Sequence, residues 1–113
     1  MAEAFTVREN ADIRIVDVNG DLDSYIAAKD LRNELESLVS DKNFKIVVNL
    51  SSVEHISSTA VGALVGISKQ IRRKNGDLKV CGLSDTLQRT FDLVGASKVL
   101  EIYGSESDAV SSF

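Results

Sequence analysis

The segment Lys45-Ile-Val-Val-Asn-Leu50 constrains this chain more than any other. Ile46, Val47 and Val48 follow one another without polar alternation, the pattern of a strand covered on both faces. A short polar loop follows, then three hydroxyls in a row, Ser57, Ser58 and Thr59. These open an apolar helix that the pattern predicts from about Ser58 to Lys74, with Asn75-Gly76 as its stop. A buried strand feeding a helix belongs to a strand–helix–strand unit, which calls for a sheet with helices packed against it. The hydroxyls fall where a helix leaves backbone N–H groups without intrahelical partners and where an anion is favoured.

The flanking segments extend this frame. Phe5 and Val7 alternate with polar residues, Glu9-Asn-Ala-Asp12 is turn-like, and Ile13, Ile15 and Val18 continue, which predicts a hairpin ending at Asn19-Gly20. A helix is expected from about Ser24 to Val39, with Ile26, Leu31, Leu35 and Leu38 on one face and Asp23 or Ser24 as its cap. Leu78–Cys81 predicts a short strand. Asp85–Val94 predicts a helix with Asp85 and Gln88 at capping-box spacing and Gly95 as its stop. Val99–Tyr103 predicts a weak last strand, and Ser105–Phe113 a helical turn or two that frays. The expected architecture is α/β: a mixed sheet of four to five strands with helices packed against it, in one domain spanning residues 1–113.

Composition narrows the function. Apolar residues make up 43% of the chain, enough for a core. Thirteen basic residues against 17 acidic ones leave a net charge of −4, which argues against nucleic acid as the main partner. No apolar run approaches the roughly 20 residues that span a bilayer. The N-terminus, Met1-Ala-Glu-Ala-Phe-Thr6, lacks the regions of a signal peptide, so a cytoplasmic protein is expected. One cysteine, Cys81, and one histidine, His55, are too few for a Cys/His zinc site, and Asp21 with Asp23 are too few for a metal cage. No metal, cofactor or membrane insertion is expected. The chain lacks proline, which favours unbroken elements.

Four pieces, in order and at matching separations, point to a family. Gly20-Asp-Leu-Asp23 is similar to a Gly-Glu-Leu-Asp element after a second strand, and Val48-Asn-Leu-Ser51 to a Leu-Asn/Asp-Leu strand end. Ile56-Ser-Ser-Thr-Ala-Val-Gly62 stands where the family carries Met-Asp-Ser-Ser/Thr-Gly-Leu-Gly. Val80-Cys-Gly-Leu-Ser84 with Gln88-Arg-Thr-Phe-Asp-Leu-Val-Gly95 is similar to its later strand and third helix. On these residues the chain resembles the anti-sigma factor antagonists of the STAS domain family, which control bacterial sporulation and stress sigma factors.

The resemblance implies a protein–protein switch and no enzyme. Ser58 falls on the family's phosphoacceptor, flanked by Ser57 and Thr59. The implied partner is a serine kinase that is also an anti-sigma factor. The unphosphorylated chain binds it and frees the sigma factor, phosphorylation breaks that binding, and a phosphatase reverses it. Asp21, Asp23, Ile56 and Val61 are the implied partner-binding residues, with Asp23 near the acceptor and equally suited to capping the first helix. Two positions depart from the family: Ser57 replaces its Asp, and Ala60 replaces its Gly, adding a methyl group where a partner approaches.

Other readings of the same residues stand beside this one. Ser57-Ser-Thr59 also suits a plain helix cap. A STAS-like module that binds without switching, as a lipid-transport ABC subunit or a stress-signalling scaffold, is the alternative. A serine hydrolase is disfavoured, because His55 lies only three residues before Ser58 and no Gly-x-Ser-x-Gly elbow surrounds that serine. Gly62 and Gly66 predict close helix–sheet packing, with a partner-facing groove as the second reading. Cys81 predicts a core side chain, His55 an ordinary loop residue, and Lys69–Lys74 a solvated helix end.

Overall fold

The computed structural model describes residues 3–113. Met1 and Ala2, the first residues of the N-terminal segment that lacks signal-peptide regions, lie outside the described residues. The elements run β1 (Phe5–Asn10), β2 (Ile13–Val18), α1 (Tyr25–Ser40), β3 (Lys45–Asn49), α2 (Ser58–Arg72), β4 (Asp77–Cys81), α3 (Asp85–Leu93), a 3₁₀ turn (Ala96–Lys98), β5 (Glu101–Tyr103) and α4 (Glu106–Ser111). The five strands form one sheet in sequence order. β1 and β2 pair antiparallel, and the other three pairings are parallel.

Strand alternation divides the core. Val16, Val18, Ile46, Val48, Leu78 and Val80 face one side, where Leu31 and Leu35 of α1, Leu64 and Ile71 of α2 and Phe91 of α3 cover them. Ile13, Ile15, Val47 and Cys81 face the other side, against Ala109 of α4. β3 is thus covered on both faces, as its unbroken apolar run requires. Burial pushes the Cys81 thiol up to about 11.

Side-chain caps set the helix starts. Ser24, Ser57, Ser84 and Ser105 each accept a hydrogen bond from the N–H three residues on. Ser84 therefore takes the place expected for Asp85, which is the first residue of α3 and adds negative charge to its first turn. At the end of α2 the two stop residues divide the task. Asn75 adopts the left-handed conformation, with φ of 63°. A Cβ on Gly76 would lie 1.9 Å from the Phe44 carbonyl oxygen, so only glycine allows the chain to pass there.

Several expectations fail, Ile26 through its local helical spacing and the C-terminal segment because neighbours in space hold it. Ile26 is 69% exposed, and Ala28 takes the inward position with Leu31 and Leu35. Ile26 and Leu31 are five residues apart, which turns them away from each other on a helix. The last strand starts at Glu101, because residues 96–98 form the 3₁₀ turn instead. The C-terminal segment expected to fray is docked at both ends. At one end, Glu106 of α4 pairs with Arg8 of β1 and accepts from Asn49 of β3. At the other, Lys79, only 5% exposed, donates to the Ser112 carbonyl at 3.0 Å and its hydroxyl at 2.7 Å. The Lys79 ammonium also pairs with Glu101 and sits 4.4 Å from the centre of the Phe113 ring.

Candidate functional site

The hydroxyl run lies at the carboxyl ends of the parallel strands, where open α/β sheets place their ligands. Here the loop between β3 and α2 meets the segment between β2 and α1. The two form a parallel bridge between Leu22 and Ile56. Leu22 donates its N–H to the His55 carbonyl at 2.9 Å and accepts from the Ser57 N–H at 2.8 Å. Asp21 extends the junction: its Oδ1 accepts from the N–H groups of Glu54 at 2.9 Å and His55 at 3.1 Å. These bonds hold the Asp21 carboxyl below the usual carboxylate range. One step past the bridge stand Asp23 on one segment and Ser57 on the other, which puts the exposed Asp23 beside the start of α2.

The three hydroxyls differ in their freedom. Ser57 is half-buried and caps α2, its Oγ accepting from the Ala60 N–H at 3.1 Å. Aspartate and serine are close to equal as caps, so Ser57 keeps the helix start that the family's Asp would give while removing its charge. The first turn of α2 carries no acidic residue. Ser58, the first residue of the helix, and Thr59 after it are exposed. Thr59 borders a groove between α1 and α2, about 290 Å³ in volume, that Tyr25, Lys29, Arg32 and Ala63 also line.

Of the residues expected to meet a partner, Asp21, Asp23 and the half-buried Ile56 stand around this junction. Val61 does not belong with them. It is 1% exposed and packs in the core, because the inward face of α2 repeats at Val61, Leu64, Ile67 and Ile71. Ala60 is likewise fully buried, so its methyl group lies beneath the helix and not in a partner's path. Gly62 and Gly66 reverse the other way. They are exposed, and a Cβ on either would meet nothing within 4 Å, so close packing against the sheet does not explain them.

Sequence reasoning missed the apolar part of this surface. Tyr25 is 75% exposed, and with Ile26 it places two large apolar side chains on the first turn of α1. The available signal was the five-residue gap from Ile26 to Leu31. His55 is exposed, and its backbone, not its ring, ties the loop.

Comparison with known proteins sets this geometry in context. The STAS domain family model matches residues 4–109. An anti-sigma-B factor antagonist of Listeria monocytogenes is 33% identical over 91 residues, which cover 80% of this chain and 79% of that protein. The crystal structure of an anti-sigma factor antagonist from Mycobacterium paratuberculosis superposes with a TM-score of 0.86 at 22% identity, covering 96% of this chain and 91% of that one. The Bacillus cell fate determinant SpoIIAA in its phosphorylated form shares the fold at a TM-score of 0.72 and 18% identity, covering 96% and 97%.

Proposed function

The chain belongs to the STAS domain family, and on that premise we propose that it is an anti-sigma factor antagonist switched by phosphorylation of Ser58. One observation carries the choice of residue. Ser58 is an exposed hydroxyl at the very start of α2, beside Ser57, whose own hydroxyl is engaged as the cap. The name of the Listeria relative supports the choice of activity.

The partner is a serine kinase that doubles as the anti-sigma factor, and a phosphoserine phosphatase resets the switch. Both act in the cytoplasm, on a single domain spanning residues 1–113. The kinase supplies nucleotide, metal and base. The Ser58 oxygen attacks the γ-phosphorus of ATP, the bond to ADP breaks, and the hydroxyl proton passes to the kinase. The chain contributes an accessible oxygen and a surface. That surface comprises Asp23, Ile56, Tyr25 and Ile26, with Thr59 at its edge.

Phosphate works here by charge. It adds about −1.5 to −2 charges at pH 7. The helix N-terminus favours that charge by roughly 0.3–1 kcal/mol, so the domain stays folded. A partner that must bury Tyr25, Ile26 and Ile56 meets instead a dianion beside Asp23, and desolvating it without a cation is costly.

The test is phosphosite mapping by mass spectrometry on protein from its native cells, in growth and under stress, with labelling by ATP in native extract. Occupancy of Ser58 that changes with condition, and loss of labelling in Ser58→Ala, are expected. A loop unmodified in every condition would instead favour the STAS module that binds without switching.

A further inference from the structure

Ser58 follows a loop that is held from outside itself. Asp21 and Leu22 make four hydrogen bonds to residues 54–57: Asp21 Oδ1 takes the N–H groups of Glu54 and His55, and the Leu22 backbone takes the His55 carbonyl and the Ser57 N–H. Leu22 is buried, so its backbone is anchored in the core, while Asp21 reaches over the loop from the surface. Loops of this kind are ordinarily mobile. Phosphoryl transfer requires the attacking oxygen to sit in line with the γ-phosphorus, and a misplacement of about 1 Å costs roughly a hundredfold in rate.

We propose that Asp21 is a positioning residue for the phosphorylation of Ser58: it clasps the loop so that the acceptor hydroxyl is presented ready for attack, and it does not contact the kinase. The inference rests on the assignment of Ser58 above. It gives Asp21 a different role from that of the neighbouring Asp23, whose carboxylate is exposed beside the start of α2. Two N–H groups converging on one carboxylate oxygen are charge-assisted bonds, stronger than neutral ones. Asparagine keeps an acceptor oxygen at the same point and lacks the charge. Alanine removes the acceptor.

The experiment compares the wild type, Asp21→Asn and Asp21→Ala in two measurements. The first is amide hydrogen exchange by NMR on the isolated proteins, which needs no partner. The Glu54 and His55 amides are expected to exchange roughly tenfold faster in Asp21→Ala, with core amides unchanged, and to stay protected in Asp21→Asn. The second is steady-state phosphorylation by the kinase identified in the labelling assay. Asp21→Ala is expected to lower kcat roughly tenfold with KM little changed, and Asp21→Asn to restore it.

Equal protection of both amides in Asp21→Ala would overturn the clasp. A raised KM in Asp21→Asn matching that of Asp21→Ala, with the amides still protected, would make Asp21 a kinase contact and overturn the proposal. Wild-type protein that remains unlabelled at Ser58 would overturn the Ser58 assignment and the reaction Asp21 serves, and the exchange data would separate that failure from an absent clasp.

Discussion

At Ser57 and Cys81, single atoms carry separable consequences. The Ser57 hydroxyl satisfies the Ala60 N–H at the start of α2. Ser57→Ala should lower stability by about 1 kcal/mol, read from urea unfolding, and a change below the error of that measurement would show that the cap contributes nothing. Ser57→Asp should keep the cap and return a negative charge next to Ser58. Cys81 is fully buried and its thiol is pushed up to about 11, from an ordinary value of 9.0. A raised folded value means that the neutral thiol is favoured in the native state. The associated stability is complete below the unfolded value and is lost as pH rises from about 9.0 to about 11. At pH 7.5 native Cys81 should resist iodoacetamide and react once the protein is unfolded, which labelling with and without urea would decide.

Element ends in this fold are set by neighbours as much as by local sequence. The passage from α2 into β4 runs past the Phe44 carbonyl with no room for a side chain at Gly76. Gly76→Ala should cost about 3 kcal/mol, and a thermal transition unchanged from the wild type would contradict the close approach. Helix α4 is short and depends on its two latches. Arg8 first, and Asn49 after it, hold the Glu106 carboxyl below its usual range, and Lys79 does the same for Glu101. Their contribution is present above the usual carboxylate range and is lost as pH falls through that range and below it. The amides of α4 should therefore lose protection at acid pH before those of β3. The Arg8–Glu106 pair is partly solvated, so Glu106→Gln should cost only about 0.5–1 kcal/mol. Simultaneous loss of protection across α4 and β3 would place the latch elsewhere.

Across the whole molecule, what was legible in the sequence depended on the range of the cause. The succession of strands and helices along the chain, the three longer helices and the stop at Asn75-Gly76 follow from short-range periodicity and turn chemistry, and the structure bears them out. The location of Ser58 at a helix start was equally local. Lys79 was not legible, because its burial comes from Ser112 and Phe113, far along the chain. Val61 and Gly62 are adjacent residues with opposite exposure, and only the orientation of α2 against the sheet distinguishes them. The clasp from Asp21 to Glu54 and His55 joins residues more than thirty positions apart, so no local pattern announces it.

Ser58 sits on the first turn of a helix whose inner face is locked into the core. A phosphate added there has no element to displace and no folding step to await. In the switch proposed for Ser58, the state of the molecule is recorded in one ester bond. Its memory lasts as long as that bond does, and its response time is set by the turnover of the enzymes that make and cleave it. In that proposed switch, a faster phosphatase would shorten the memory without any change in this chain.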